Sequence, residues 1–117
     1  MNDMTDFKRS RCPIAVTLDV IGDRWTLVIA RDLLFFGKRR FGDFADSPEG
    51  IPTNILTDRL KRMAAEGLVE RVAYQDRPPR YEYLPTRKLR DLKPVLIEIV
   101  RWGNEHYPGT LRPGGAG

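Results

Sequence analysis

A mainly α-helical domain with one small β-hairpin is the fold this sequence predicts, and three observations carry the prediction. Apolar residues recur at helical spacing through most of the chain. Two Val- and Tyr-rich runs flank a loop stiffened by Pro78-Pro79, which is hairpin chemistry. Pro, Asp and Gly stand where helix starts and stops belong. The length, 117 residues, suits one domain with a buried core. The composition, 41% hydrophobic and 31% charged, is that of a globular protein. The longest apolar runs, such as Leu33-Leu34-Phe35-Phe36, fall far short of the roughly 20 residues of a membrane helix. The first six residues carry two aspartates and no apolar stretch, so they do not read as a signal peptide. A single cysteine excludes an internal disulfide, and with a single histidine it excludes the usual zinc sites. No cofactor and no membrane contact are expected, and the cytoplasm is the default compartment.

The elements follow in order. Residues 1–11 read as a flexible N-terminus. Pro13 opens a helix over 13–21, with Ile14, Leu18 and Ile21 at helical spacing and Gly22 as its stop. Asp23 caps a second helix in which Trp25, Val28, Ile29, Leu33 and Phe36 keep the period, and Gly37 closes it. Lys38-Arg39-Arg40 leads into a short helix with Phe41, Phe44 and Ala45 on one side, and Ser47-Pro48-Glu49-Gly50 is a turn. A fourth helix starts near Pro52 or Thr53 and ends at Gly67. Its inner face is Ile55, Leu56, Leu60, Met63 and Ala64, and its outer face Thr53, Asn54, Thr57, Asp58, Lys61 and Arg62. Strands are expected over 68–74 and 80–84. Residues 87–107 are helical by period, with a kink or break near Lys93 because Pro94 removes a helical hydrogen bond. The Gly- and Pro-rich residues 108–117 read as a flexible tail. Helix, helix, short helix, helix, hairpin, helix is the order of a winged helix-turn-helix, placed here at 12–107. The fourth helix would read DNA and the hairpin tip would be the wing.

The residues in these places also resemble a known family. Cys12-Pro13, Leu18-Asp19-Val20-Ile21-Gly22-Asp23-Arg24-Trp25, Phe41 and Phe44 come first. Ile51-Pro52-Thr53-Asn54-Ile55-Leu56-Thr57-Asp58-Arg59-Leu60, Gly67-Leu68-Val69-Glu70-Arg71 and Pro78-Pro79-Arg80-Tyr81-Glu82-Tyr83 follow. Together they resemble the HxlR-type branch of the MarR-related winged-helix regulators over roughly residues 12–103. The resemblance implies a homodimeric bacterial DNA-binding protein that responds to a chemical signal. Pro85-Thr86 departs from the Leu-Thr usual after the second strand, and Leu89 stands where a glycine is common. Since Pro85 cannot donate to a ladder, the second strand is expected to end at Leu84.

Four candidate sites emerge. Thr53, Asn54, Thr57 and Asp58 offer donors and acceptors at the start of the fourth helix, where a reading helix meets base edges, with Lys61 and Arg62 placed for phosphates. The plainer reading is a solvated face of mixed charge. Arg77 and Arg80 bracket the wing tip and suit a minor groove or its backbone, or else are ordinary loop arginines. Lys38, Arg39 and Arg40 precede the short helix and either meet phosphate or line a solvated turn. Cys12 lies at a helix start near Lys8, Arg9 and Arg11, which favours thiolate, or is a small packing residue. The resemblance implies a redox or electrophile sensor at this cysteine. Trp25, Phe35, Phe36, Phe41, Phe44 and Trp102 read as core and dimer packing or as a small-molecule pocket. His106 reads as a surface residue near a helix end. The final helix carries more apolar surface than one core of this size needs, which predicts a homodimer through the N- and C-terminal helices. The expected partners are double-stranded DNA, a second copy of the chain, and a small electrophile or aromatic ligand as effector. A net charge of +4 is compatible with the first. No Gly-rich phosphate loop and no Ser-His-Asp set points to an enzyme. Two alternatives stay open: a regulator gated by a noncovalent ligand, and a winged-helix protein-interaction module.

Overall fold

The computed structural model describes residues 11–109. The flexible ends expected over 1–11 and 108–117 lie outside them, except for residues 11, 108 and 109. Among the described residues the order is α1 (Pro13–Ile21), α2 (Arg24–Phe35), α3 (Phe41–Ala45), α4 (Thr53–Ala65), β1 (Val69–Gln75), β2 (Arg80–Pro85), α5 (Arg87–Arg90) and α6 (Lys93–His106).

The boundaries have local causes. Pro13 and Pro94 both fall in the first turn of a helix, where a missing N–H leaves nothing unpaired. The break expected near Lys93 therefore takes the form of two helices, α5 stopping at Arg90 and α6 starting at Lys93. The Asp23 carboxylate caps α2 by accepting from the backbone N–H of Trp25 (2.9 Å) and Thr26 (3.0 Å). At the end of α4, Gly67 adopts φ +74°. That left-handed turn lets Leu68 N–H donate to the Met63 carbonyl (2.8 Å) and Gly67 N–H to Ala64 (3.1 Å), which closes the helix. Thr86 accepts from Leu89 N–H at the start of α5, and its hydroxyl donates to the Gly67 carbonyl (2.6 Å), tying α5 to the end of α4.

β1 and β2 form an antiparallel hairpin with an irregularity between Ala73 and Gln75. The peptide bond between Arg77 and Pro78 at its tip is cis. β2 extends one residue past the expected end, with Pro85 opposite Val69. Proline is tolerated there because the last residue of a strand need not donate, and its carbonyl accepts from Arg90 Nη1 (2.8 Å). The chain entering α3 pairs with the outer edge of β2: Arg40 bridges Glu82, and Tyr83 N–H donates to the Arg39 carbonyl (2.7 Å). The wing is thus anchored to the helix-turn-helix.

The core joins Ile29, Ala30 and Leu33 of α2, Phe44 of α3 and Leu56, Leu60 and Met63 of α4 to Leu68, Val69, Leu89 and Leu96. Burying one such large side chain contributes about 1.5–3 kcal/mol. One expectation is corrected here. Ala64 is exposed rather than on the inner face of α4, because Leu56, Leu60 and Met63 already fill a narrow stripe and Ala64 falls on the flank toward the hairpin. Of the aromatic residues assigned to core and dimer packing, Phe44 is buried and Trp25, Phe35 and Phe41 pack half-buried against the core, while Phe36 and Trp102 are exposed in the single chain. So are Ile14, Val16 and Leu18 of α1, and Val95, Ile97 and Ile99 of α6, where Leu96 alone is buried. His106 is exposed at the end of α6, its ring 4.9 Å from that of Trp102.

Candidate nucleic-acid interface

The outer face of α4 is assembled by the inner one. Leu56, Leu60 and Met63 fix the helix against α2 and α3, which leaves Thr53, Asn54, Thr57, Asp58, Lys61 and Arg62 exposed together. Their states differ. Thr57 Oγ1 donates back to the Thr53 carbonyl (2.9 Å). Asp58 is neutralised by Arg59 Nη1 and, at 3.5 Å, by Arg62 Nη1. Thr53, Asn54 and Lys61 make no side-chain hydrogen bond or ion pair among the described residues. Asn54 therefore presents both amide donor and acceptor at the start of the helix, the pairing that a base edge such as adenine requires.

Arg59 was not among the residues singled out from the sequence, yet it sets the pose of α4. Its Nε donates to Asp23 Oδ1 (2.9 Å), so one carboxylate both caps α2 and holds α4. Burial opposes the charge on Asp23, but hydrogen bonds from Thr26 and Arg59 and the backbone N–H groups of Thr26 and Trp25 outweigh it and bring its pKa down to about 2. The available sequence signal was a charge at the edge of the apolar stripe of α4.

A second cluster fixes the turn leading into α4. Asp32 of α2, 1% exposed, accepts from the Ser47 hydroxyl and from Arg31 Nη2 (2.9 Å), with Lys38 Nζ 3.5 Å away. Arg31 also grips both oxygens of Glu49 (2.5 and 2.9 Å), which lowers the Glu49 pKa to about 2 against the effect of burial. Ser47 and Glu49 belong to the turn before α4, so the exit of α3 is clamped at two points.

Lys38 and Arg39 of the basic triplet at 38–40 are half-buried, and Arg40 is exposed. Lys38 serves Asp32 and Ser47. Arg39 Nη1 donates to the carbonyls of Leu33 (3.0 Å) and Lys38 (2.8 Å), capping the end of α2. Arg40 lies 3.9 Å over the Tyr74 ring with Nε 3.3 Å from Glu82. Lys38 and Arg39 are thus engaged within the chain, while Arg40 keeps about half of its side chain exposed. At the wing tip Arg77 and Arg80 are exposed and have no ion-pair partner among the described residues. Glu82, a partner available to Arg80, is taken by Arg40.

Cys12 is exposed and is the N-cap residue of α1. The backbone N–H groups of Ala15 and Ile14 point to its sulfur and lower its pKa, with only a small opposing effect from burial. Lys8 and Arg9 lie outside the described residues. Among those described, no group of three or more His, Cys, Asp or Glu is arranged to hold a metal. No described helix is long and apolar enough to cross a membrane.

A three-helix unit whose last helix presents a polar face beside an anchored hairpin defines a winged helix-turn-helix protein. The chain belongs to the HxlR-like helix-turn-helix family, whose sequence profile matches residues 20–110. It is similar to an uncharacterised HTH-type transcriptional regulator of Mycobacterium tuberculosis, 43% identical over 96 residues. That match covers 82% of this chain and 60% of the relative, so the chain spans about three fifths of that protein's length. Among solved structures it is similar to PA1607, a candidate transcription factor (TM-score 0.78, 38% identity, 92% of this chain and 75% of that one). It is also similar to the redox regulator HypR in its oxidised form (TM-score 0.72, 35% identity, 81% of this chain and 97% of that one). These are regulators, not enzymes.

Proposed function

We propose that this chain is a homodimeric transcription regulator that binds a pseudo-palindromic operator and changes its DNA affinity when Cys12 reacts with an oxidant or electrophile. The observation that carries the reading is the exposed, unspent polar start of α4, Thr53 and Asn54, in a chain whose hairpin tip carries two arginines with no ion-pair partner among the described residues. In this docking α4 enters the major groove, Asn54 and Thr57 meet bases, Lys61 and Arg62 meet phosphates, and Arg77 and Arg80 reach the minor groove or its backbone. Lys38, Arg39 and Arg40 contribute field rather than contacts. A partner on chromosomal DNA would make the chain cytoplasmic.

Dimerisation is supported by the apolar residues that α1 and α6 leave in solvent, Ile14 at 70% and Trp102 at 59% exposure being the largest on each helix. Cys12 begins α1 and so borders that surface. Its lowered pKa raises the thiolate fraction. A thiolate that adds to an electrophilic carbon forms a C–S bond; one that attacks a small disulfide forms a mixed disulfide and releases the other thiolate. Either product adds bulk beside the dimer seam, and a small shift there changes the spacing of the two reading helices. The relative HypR is named a redox regulator, which favours the same reading for this chain.

The test is an operator titration of the parent and Cys12→Ser, each with and without diamide or a quinone. Oxidant should change the affinity of the parent about tenfold or more, equivalent to about 1.4 kcal/mol, and leave Cys12→Ser unaffected. An equal response in both proteins would refute the thiol switch. It would favour the second reading, a noncovalent effector, for which the open groove of about 300 Å³ among Arg40, Phe41, Tyr74, Arg80, Tyr81 and Tyr83 is the available space.

A further inference from the structure

Between α4 and the hairpin runs a groove of about 280 Å³ lined by Leu60, Lys61, Ala64, Arg71 and Tyr83. It exists because Ala64 is small. The inner stripe of α4 packs on the core, and the next residue on the hairpin side carries only a methyl group, so helix and sheet part. Tyr83, held edge-on against Phe44 with ring centroids 6.3 Å apart, forms the far wall.

The charge of this groove is one-sided. Its lining contains two cations and no carboxylate. Lys61 has no ion-pair partner among the described residues, since Asp58, one turn before it, is held by Arg59 and Arg62. Arg71 has none either. Its guanidinium lies 4.0 Å over the Tyr81 ring. Stacking of that kind orients the planar group while leaving its in-plane N–H donors for another acceptor. Two unpaired cations on opposite walls, one mobile and one held flat, form a receptor for a compact anion with several oxygens.

The occupant follows from the position. On the docking proposed above, α4 lies in one groove of the duplex and the wing tip in the adjacent one. The strand dividing the two grooves must then cross between helix and hairpin, over this cleft. We propose that the cleft seats one backbone phosphate of duplex DNA, gripped by Lys61 from α4 and Arg71 from β1. The inference rests on the DNA-binding reading. It makes Arg71 the residue that sets how far the wing stands from the reading helix on DNA.

The experiment measures binding of the full chain to its operator duplex and to an unrelated duplex across a range of salt. The proteins are the parent, Lys61→Gln, Arg71→Gln, the double variant, Arg71→Lys, and Arg87→Gln as a control of equal charge on α5. Loss of one of the two cations per bound subunit should make log K fall less steeply with log salt, by up to about 0.9, and weaken binding by up to about eightfold near 0.1 M salt. Arg71→Gln should do so on both duplexes, because a phosphate carries no sequence information. The double variant should lose less than the two single losses combined, since both jaws hold one group. Arg71→Lys should keep the slope, and Arg87→Gln should leave it near the parent's. Replacing operator phosphates one at a time by neutral methylphosphonate should reveal one position that weakens the parent, weakens Arg71→Gln less, and leaves the double variant unaffected. A slope for Arg71→Gln equal to that of the parent, or a loss no larger than that of Arg87→Gln, overturns the clamp and leaves the DNA reading standing. A parent with no salt-dependent affinity for duplex DNA overturns the reading itself.

Discussion

Replacing Asp23 should destabilise the protein in a pH-dependent way that identifies the cause. Asp23 holds two helices at once, capping α2 through Trp25 and Thr26 and pairing with Arg59 of α4 at 2.9 Å. Its pKa falls from 3.8 to about 2 on folding. A depression of that size corresponds to roughly 2 kcal/mol of stability held by the charged form. The carboxylate is 28% exposed and its partner 17%, so solvent screening reduces this to about 1–2 kcal/mol. Asp23→Asn keeps an N-cap acceptor and removes the charge, and should cost about that amount at neutral pH. Asp23→Ala also removes the cap, worth about 1 kcal/mol more. Because the folded-state pKa is lowered, the contribution is present in full above the unfolded value and disappears as pH falls toward about 2. Urea unfolding at fixed protein concentration, from about pH 7 down to about pH 2.5, measures this. The gap between parent and Asp23→Asn should narrow through the acid range. A gap that stays constant there would refute the argument, since the cost would then be one of packing and not of charge.

Asp32→Ala should cost about 3 kcal/mol in the same assay, because it removes the buried acceptor of Ser47 and the buried carboxylate beside Arg31 and Lys38. Gly67→Ala should cost about 1 kcal/mol or more, read as a lowered melting temperature, because φ +74° is strained for any side chain. Asn54→Ala should relax base preference at one position of each half-site, at about 1–3 kcal/mol per lost bidentate contact, seen by binding to a panel of single-base operator variants. Light scattering at micromolar concentration should give twice the chain mass, and Trp102→Glu should give the monomer, as a charge introduced into the exposed apolar surface of α6 opposes its burial.

What the sequence alone determined was the local chemistry. Asp23 as a cap, Gly37 and Gly67 as stops, the break that Pro94 imposes and the two faces of α4 are all set by residues within four or five positions of one another. Backbone hydrogen bonding and helical period act over that same range, so the order of elements, α4 and the hairpin were legible as a pattern. Tertiary structure decided which charges are spent and which are left. Lys38 and Arg39 read either as phosphate ligands or as a solvated turn, and the fold placed Asp32, Ser47 and the end of α2 beside them. Arg59 looked like one more cation on the flank of a helix until it met an aspartate 36 positions away. Ala64 belonged to the inner face by period, and the fold left it exposed in the lining of an open cleft between α4 and the hairpin. An ion pair forms wherever folding brings two side chains within a few ångströms, and sequence separation does not limit that distance. The sequence therefore proposed a surface for DNA, and only the fold separated the cations left without an ion-pair partner among the described residues, Lys61, Arg71, Arg77 and Arg80, from those engaged within the chain.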